Sequence, residues 1–376
     1  MQRAAYIHIP FCISKCYYCD FNSYPGLGHL FDAYSDAVRR EIEHAPVSGA
    51  QAATLYIGGG TPTVMNDQQL YAMVDSVRFA LSLPKDAEAT IEANPATITA
   101  SSLDALITMG LNRISIGIQS LEDETLSKLG RRHTSDDAYN AVINARLAGF
   151  ANISLDLIYS LPEQTVDAWG DTVNKAIDLS PEHISLYELT IESGTPFADL
   201  LAQGALTLPG EEEQIEMYSV AESLLEAAGY EHYEISNYAR PGFRCRHNQF
   251  YWQNEEYYGF GAGAVSYLDR RRVKNLSNPS EYIERVTESG SAVENSEELS
   301  PDAQMGETMM LGLRMLDGVD CEAFRGRFGV EPADVYAPEL ERLTRGGLLE
   351  LADSRIRLTK RGVLLANEVM QEFLRC

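Results

Sequence analysis

The feature that most constrains the fold is a regular alternation of strand-like and helix-like segments through the first 230 residues. Short β-branched, apolar runs predict strands at 4–9, 54–57, 89–93, 113–117, 152–157 and 183–189. Stretches with a 3.6-residue apolar period predict helices at 30–43, 67–81, 101–109, 135–148, 165–179 and 211–228. Six strand–helix pairs in a row predict an α/β fold whose parallel sheet is either open or curved into a partial barrel, with helices outside.

Polar or glycine-rich residues follow all six predicted strands at the same end. Three cysteines follow the first strand and the glycine run 58–62 follows the second, while single polar residues end the others: Glu92, Gln119, Asp156 and Tyr187. In parallel α/β folds, sites form at the C-terminal ends of the strands. The sequence therefore predicts that these residues share one pocket.

The three cysteines, Cys12, Cys16 and Cys19, have the spacing C-x3-C-x2-C. Three thiolates can bind three irons of a cubane iron–sulfur cluster, which leaves the fourth iron open to an outside molecule. A structural zinc ion and a disulfide are the alternatives. Zinc usually takes four protein ligands, and no second cysteine or histidine pair follows. A disulfide would suit a secreted chain, but no signal peptide is recognisable.

Charge and hydropathy restrict the partners and the location. The net charge is −25, which disfavours nonspecific binding to nucleic acid or anionic lipid. No apolar run approaches the ~18–20 residues that span a bilayer. Six cysteines, three of them clustered, fit a reducing compartment. We expect a cytoplasmic protein that neither spans a membrane nor binds nucleic acid.

We expect three domains. Residues 1–230 form the barrel, and residues 231–277, which are rich in aromatic residues and glycine, form an accessory lobe of strands and loops. Residues 278–376 form a helical domain with a small hairpin (348–351 and 355–358) and a final helix over 359–374. Helices followed by a hairpin resemble a winged helix, but the acidity of the chain favours a docking or lid role over DNA binding.

The cysteine loop, with Tyr18 before its third cysteine, the run from Gly58 to Pro62, and Gln119 together resemble the radical S-adenosylmethionine (SAM) superfamily. The resemblance implies that the cysteines bind a [4Fe–4S] cluster whose open iron is chelated by the amino and carboxylate groups of SAM. It also implies that the reduced cluster cleaves SAM to methionine and a 5′-deoxyadenosyl radical.

The resemblance also implies a set of SAM-binding residues. The glycine run should offer backbone groups to the SAM ammonium, a glutamate should bind the ribose, and Arg131, or its competitor Arg132, should bind the carboxylate. Asp156 should bind the adenosine, and Tyr187 and Leu189 should flank the adenine. Tyr6, in the first strand, completes the set. The residues are Tyr6, Gly59, Gly60, Thr61, Glu92, Gln119, Arg131, Asp156, Tyr187 and Leu189.

Nearly end to end, the chain is similar to the oxygen-independent coproporphyrinogen III oxidase-like branch. Two marks of the true oxidases are absent, because Phe21 stands where they have a fourth cysteine and only eleven residues precede Cys12. The motif H-N-x-x-Y-W, from His247 to Trp252, resembles the haem chaperones called HemW. This resemblance implies haem binding and delivery to acceptor haemoproteins, membrane haemoproteins among them, with a homodimer as one option. The alternative is an anaerobic enzyme that acts on a porphyrin or porphyrinogen by oxidative decarboxylation, methyl transfer or ring opening.

His247 is the predicted haem ligand, because a neutral imidazole is a good axial ligand for haem iron. Arg244 and Arg246 are candidates to pair with the propionates, and Cys245 is an alternative thiolate ligand. The other interpretation is a buried histidine that is hydrogen-bonded beneath the barrel. One departure bears on this site, because Val265 stands where the family usually has a histidine.

Overall fold

The computed structural model describes residues 2–47 and 49–374. Within these residues the chain forms seventeen strands: β1 (Gln2–Ile9), β2 (Phe11–Cys12), β3 (Tyr24–Pro25), β4 (Gln51–Gly59), β5 (Glu88–Ala93), β6 (Arg113–Gln119), β7 (Ile153–Tyr159), β8 (His183–Glu188), β9 (Glu231–Glu234), β10 (Asn237–Ala239), β11 (Tyr257–Phe260), β12 (Val265–Leu268), β13 (Arg271–Asn275), β14 (Val293–Glu298), β15 (Val319–Asp320), β16 (Leu349–Ala352) and β17 (Arg355–Leu358).

The same residues form sixteen α-helices: α1 (Phe31–His44), α2 (Asp67–Ala80), α3 (Ala100–Thr108), α4 (Asp123–Lys128), α5 (Ser135–Ala148), α6 (Val166–Asp178), α7 (Pro196–Ala202), α8 (Glu211–Ala227), α9 (Arg246–Trp252), α10 (Pro279–Ser289), α11 (Pro301–Gly312), α12 (Cys321–Phe328), α13 (Pro332–Val335), α14 (Ala337–Arg345), α15 (Lys360–Leu364) and α16 (Ala366–Gln371). Short 3-10 turns lie at Gly28–Leu30, Pro62–Val64 and Pro95–Thr97. None of the described helices is long and apolar enough to cross a bilayer.

The central element is a twelve-stranded mixed sheet with the order β14-β13-β12-β11-β1-β4-β5-β6-β7-β8-β10-β9. The seven strands from β11 to β8 are parallel, and antiparallel strands continue the sheet at both edges. A single large apolar core lies between this sheet and the helices that cover it. The predicted α/β fold, a partial (β/α)6 barrel, is therefore confirmed.

Local sequence accounts for several of the element boundaries. Asn66 caps α2 by accepting from the Gln69 amide, and Thr134 caps α5 by accepting from the Asp137 amide. In both helices the side chain three positions after the cap also accepts a hydrogen bond from the backbone amide of the cap residue. The two bonds satisfy two otherwise unpaired backbone donors. Gly149 ends α5 in the left-handed region, where a side chain would be strained.

The aromatic and glycine-rich segment joins the barrel sheet directly. Strand β11 pairs in parallel with β1, with Ala4 opposite Tyr257 and Ile7 opposite Phe260. Strands β12 to β14 then extend the sheet as an antiparallel meander. The segment therefore contributes strands to the barrel sheet as well as loops.

The C-terminal part of the chain has its own apolar core, built from α11 to α16 and a three-stranded sheet with the order β15-β17-β16. The hairpin turns at Asp353 and Ser354, both in the left-handed region, as expected for a two-residue hairpin loop. The prediction of one helix over 359–374 was wrong. Helices α15 and α16 are separated at Leu365, whose φ of −117° and ψ of 30° are not helical.

Candidate functional site

A cavity of about 410 Å³ opens at the C-terminal ends of the parallel strands. Twelve of the fourteen residues that the sequence predicted for the site line it, which confirms that the strand-end residues share a pocket. They are Cys12, Cys16, Cys19, Gly59, Gly60, Thr61, Glu92, Gln119, Arg131, Asp156, Tyr187 and Leu189. The other two, Tyr6 and His247, are not among the lining residues.

The cysteine loop is fixed to the barrel by backbone hydrogen bonds. Cys12 lies in β2, which pairs in parallel with β3. The amide of Thr61 donates to the Phe11 carbonyl at 2.8 Å, and the Thr61 hydroxyl lies 3.5 Å from the Cys12 Sγ. On the other side, the Tyr17 amide donates to the Leu129 carbonyl at 3.1 Å. The loop is therefore held from two directions, by the end of β4 and by the end of α4.

The glycine run at the end of β4 allows very close packing. A Cβ on Gly60 would lie 2.6 Å from the Phe11 carbonyl oxygen and 3.0 Å from the Cys12 Sγ. Gly59 has a φ of +117°, and its amide donates to a Glu92 carboxylate oxygen at 3.0 Å. Glycine is needed here because any side chain would push the cysteine loop away from the strand.

Glu92 sits beneath this run on β5. Its second carboxylate oxygen accepts from the Tyr56 hydroxyl at 2.8 Å. Burial raises the pKa of Glu92 to about 7, although the hydrogen bonds from Tyr56 and Gly59 oppose the shift. The carboxylate lines the cavity and is held in a fixed orientation, so it can accept hydrogen bonds from a bound hydroxyl group.

Gln119 and Arg131 also line the cavity. Gln119 ends β6 with a φ of +62°, a left-handed conformation that is uncommon outside glycine and often found at functional sites. Arg131 donates to the Gly117 carbonyl and lies 3.6 Å from the Cys16 Sγ. Its Nε is buried and has no hydrogen-bond partner in the described part of the chain. Arg131 thus places a cation beside the cysteines.

Asp156, on β7, is held by a residue that sequence reasoning missed. The hydroxyl of Ser115 donates to the Asp156 carboxylate, with distances of 3.0 and 3.1 Å to the two oxygens. Burial raises the pKa of Asp156. Ser115 lies two and four residues before Gly117 and Gln119 on β6, so the two-residue period of a strand would have placed it on the cavity side.

The rim and the apolar wall of the cavity come from the end of β8, the residue that follows it, and the adjacent strand β7. Tyr187 is 45% exposed and Leu189 is buried. Ile158, which the sequence did not single out, lines the same wall from β7. Tyr18 and Arg132 also line the cavity, so the structure brings Arg132 to the site together with Arg131. A planar aromatic group has both apolar and aromatic partners on this side.

The donor set of the cysteine loop fits an iron–sulfur cluster. Three thiols, the soft ligands that such clusters use, line one cavity beside the Arg131 guanidinium. No three His, Cys, Asp or Glu side chains among the described residues converge on a point suitable for one metal ion. In a cubane each thiolate binds a different iron, so convergence on a single point is not required. Burial raises the pKa of the Cys19 thiol, and metal binding would displace its proton.

His247 lies at the opposite end of the strands. Its Nδ1 is 2.9 Å from the Thr54 hydroxyl and its Nε2 is 2.9 Å from the Tyr251 hydroxyl. The residue is only 1% exposed, and its backbone amide donates to Glu88, the first residue of β5. Burial lowers the pKa of His247 to about 3, so the ring is neutral. Both ring nitrogens are therefore occupied beneath the barrel.

Tyr6 lies in the barrel interior between the two ends. Its hydroxyl is 2.9 Å from the His8 Nδ1, and its ring lies 6.2 Å from that of Tyr56 and 6.5 Å from that of His247. Tyr6 thus lies beside the ring of Tyr56, whose hydroxyl donates to Glu92.

The other residues considered as haem contacts have protein partners or lie away from the cavity. Arg244 forms ion pairs with Glu231 and Asp317. Cys245 is fully buried, and burial raises the pKa of its thiol to about 12. Val265 begins β12 and pairs with Lys274.

Comparison with known proteins agrees with this geometry. The family described as "Radical SAM superfamily" matches residues 6–176, and the family described as "HemN C-terminal domain" matches residues 299–365. The chain is 39% identical over 376 residues to a protein of Bacillus subtilis named "Heme chaperone HemW", with 99% of each chain covered. It is 36% identical to the protein of that name from Escherichia coli, with 98% of this chain and 97% of the other covered.

Among solved structures, the coproporphyrinogen III oxidase HemN of Escherichia coli superposes with a TM-score of 0.87 at 26% identity. The alignment covers 99% of this chain and 90% of HemN. The cavity with three cysteines at the strand ends and the full-length similarity lead to one conclusion. The chain belongs to the HemW family of the radical SAM superfamily, whose cofactors are a [4Fe–4S] cluster and SAM.

Proposed function

We propose that this protein is a haem chaperone, which binds haem and delivers it to acceptor haemoproteins. The observation that carries the proposal is the full-length similarity to proteins named heme chaperone HemW, such as the Bacillus subtilis protein, which is 39% identical. Phe21 stands where the oxidases have a fourth cysteine, and this difference also supports the chaperone proposal. On this proposal, the cluster and SAM assist or regulate haem transfer.

We further propose roles for the residues that line the cavity. Cys12, Cys16 and Cys19 hold the cluster, and the bound cluster supplies an iron that SAM can chelate. Glu92 orients the ribose hydroxyls of SAM by accepting hydrogen bonds. Arg131 provides a cation for the SAM carboxylate, which a guanidinium binds well through its two-pronged face.

The remaining proposed SAM contacts follow from position. Gly59, Gly60 and Thr61 are proposed to offer backbone groups to the SAM ammonium, and Gln119, which lines the same cavity, is proposed to contact SAM as well. Asp156, Tyr187 and Leu189 are proposed for the adenosine. Tyr6 and His247 do not line the cavity, so a role for either would have to act through the barrel interior or through the face beneath it.

The proposed location is the cytoplasm, and the proposed acceptors are haemoproteins, including those at a membrane. A homodimer and the division into residues 1–230, 231–277 and 278–376 are also proposals. The C-terminal segment, with its own core, is suited to docking an acceptor.

A haem-transfer assay tests the proposed function. Protein reconstituted anaerobically with iron and sulfide is loaded with one equivalent of haem and mixed with a haem-free acceptor, such as an apo-cytochrome. We expect stoichiometric haem binding and a transfer rate well above that of haem held by albumin. Failure of the protein to bind haem would contradict the proposal, and so would transfer no faster than that of haem held by albumin.

An anaerobic porphyrinogen enzyme is the second candidate, and the close superposition on HemN favours it. Anaerobic incubation with a reductant, SAM and coproporphyrinogen III distinguishes the two functions. The enzyme would form protoporphyrinogen IX over many turnovers. We expect none from this chain.

A further inference from the structure

The end of the cysteine loop is tied to a distant part of the chain by Asn22, which lies three positions after Cys19 and is half-buried. The side-chain Nδ2 of Asn22 donates to the Ala262 carbonyl at 3.0 Å and to the Ser277 carbonyl at 3.1 Å. A side-chain amide nitrogen carries two N–H donors, so both donors are used. Because both partners can only accept, they also fix which way the amide points. Asn22 therefore joins the cysteine loop to the aromatic and glycine-rich segment.

The backbone of Asn22 is held as well, by the first strand of the barrel. The Nε2 of His8, on β1, donates to the Asn22 carbonyl at 2.9 Å. Because a carbonyl can only accept, Nε2 carries the proton, and the Nδ1 of the same ring accepts from the Tyr6 hydroxyl at 2.9 Å. The ring is also packed against Gly59, where a Cβ would lie 2.6 Å from it. Asn22 is thus bonded to β1 through its backbone and to the glycine-rich segment through its side chain.

The turn that accepts from Asn22 is itself held in place by α1. Ala262 lies between β11 and β12, and its amide donates to the Tyr34 hydroxyl at 2.8 Å. The amide of the preceding residue, Gly261, donates to the Glu41 carboxylate at 2.8 Å. Tyr34 and Glu41 are both buried side chains of α1. Because this acceptor is fixed independently of Asn22, a hydrogen bond to it restrains the cysteine loop.

The space around the Asn22 amide is filled by the same turn. A Cβ on Gly263 would lie well under 3.0 Å from the Asn22 Nδ2, and Gly263 has a φ of +77°. Gly242 has a similar left-handed conformation, with a φ of +88°, but nothing lies within 4 Å of a Cβ at that position. Alanine would strain the backbone at both positions, but only at Gly263 would it press on Asn22.

We propose that Asn22 is a positioning residue for the iron–sulfur cluster. It fastens the end of the cysteine loop to β1 and to the glycine-rich segment, and so keeps Cys19 at the cavity when the cluster is bound. Asn22 does not line the cavity, so it acts through the loop. The inference rests on the proposed role of the three cysteines as cluster ligands, and it gives the glycine-rich segment a part in retaining the cluster.

The substitution Asn22→Asp tests the proposal, because it keeps the size of the side chain but sets a carboxylate oxygen against two carbonyl oxygens. Protein reconstituted anaerobically with iron and sulfide is mixed with an excess of an iron chelator, and the release of iron is followed over time. We expect Asn22→Asp to release iron at least ~tenfold faster than the unsubstituted protein, which corresponds to about 1.4 kcal/mol. Asn22→Ala, which removes the donors without adding a charge, should act in the same direction but more weakly.

A second readout is the electron paramagnetic resonance signal of the reduced cluster, which reports the arrangement of its ligands. Its shape should change in Asn22→Asp. Gly263→Ala presses on the same amide from the partner side, so it should also speed iron release and alter the signal. Gly242→Ala is the matched control, because it strains the backbone in the same way without touching Asn22, and it should leave both the release rate and the signal unchanged.

The outcomes separate this inference from the cysteine role on which it rests. If the unsubstituted protein takes up no iron, the proposed role of the cysteines fails. If it takes up iron, and Asn22→Asp and Gly263→Ala release it at the parental rate, the cysteines keep their role and the positioning role of Asn22 is overturned. That role is also overturned if Gly242→Ala loses iron as fast as Gly263→Ala, since backbone strain alone then explains the loss.

Discussion

The substitution Gly60→Ala tests whether the end of β4 holds the cysteine loop in place. Gly60 does not have a positive φ, so the backbone itself tolerates alanine. The added Cβ would instead lie 2.6 Å from the Phe11 carbonyl oxygen and 3.0 Å from the Cys12 Sγ. Because the Phe11 carbonyl accepts from the Thr61 amide at 2.8 Å, it can move only by weakening that bond. Overpacking costs about 1–3 kcal/mol and the hydrogen bond about 1 kcal/mol.

We therefore expect Gly60→Ala to lower the free energy of unfolding by about 2–4 kcal/mol and to reduce the iron retained per chain. Urea unfolding and iron analysis after anaerobic reconstitution measure the two effects. Gly326→Ala is the control. Gly326 lies in α12 with open space around it, so alanine should stabilise that helix by about 1 kcal/mol and leave the iron content unchanged. If Gly60→Ala keeps full stability and full iron content, the close contact does not position the loop.

Three further substitutions test separate parts of the site. Cys16→Ser should abolish the brown chromophore and the bound iron after reconstitution, whereas Cys321→Ser should preserve both. Glu92 has a folded pKa of about 7 against an ordinary value of 4.5, so the folded state binds more protons between these values. Stability should therefore fall as pH rises from about 4.5 to 7, and Glu92→Gln should flatten this dependence by up to about 3 kcal/mol in urea unfolding of the cluster-free protein. His247→Ala should lower the free energy of unfolding by about 2–4 kcal/mol, because it empties a buried site and leaves two hydroxyls unpaired.

Each of these expectations has a contradicting result. Cluster formation in Cys16→Ser would remove that cysteine from the ligand set. An unchanged pH dependence in Glu92→Gln would show that the buried carboxylate does not titrate in this range. A His247→Ala variant as stable as the parent would show that the histidine is not a structural part of the barrel base.

The sequence predicted those features that depend on local patterns. Apolar period and β-branched runs located the six strands of the barrel, and the rule that sites lie at strand ends gathered residues as distant as Cys12 and Tyr187 into one cavity. The pairing of β11 with β1 was not predictable in this way. It joins Ala4 to Tyr257, far apart in the chain, through a strand of only four residues.

The sequence left two interpretations of His247 open, a haem ligand and a buried histidine beneath the barrel, and the structure places it in the second position. The helix α9 is seven residues long, and its place beneath the barrel depends on the buried Glu88 carboxylate, which accepts from the amides of Arg246 and His247 at 3.0 and 2.9 Å. No local pattern links Glu88 to that helix. The motif indicated the family, whereas only the tertiary contacts show that both nitrogens of the ring are engaged.

The central claim is that three cysteine thiolates hold a cluster with one iron free for SAM. Electron paramagnetic resonance of the reduced, anaerobically reconstituted protein, recorded before and after the addition of SAM, tests it most directly. The account predicts a [4Fe–4S] signal whose shape changes when SAM binds the open iron. Protein that contains no iron, or a cluster whose signal is the same with and without SAM, would contradict it.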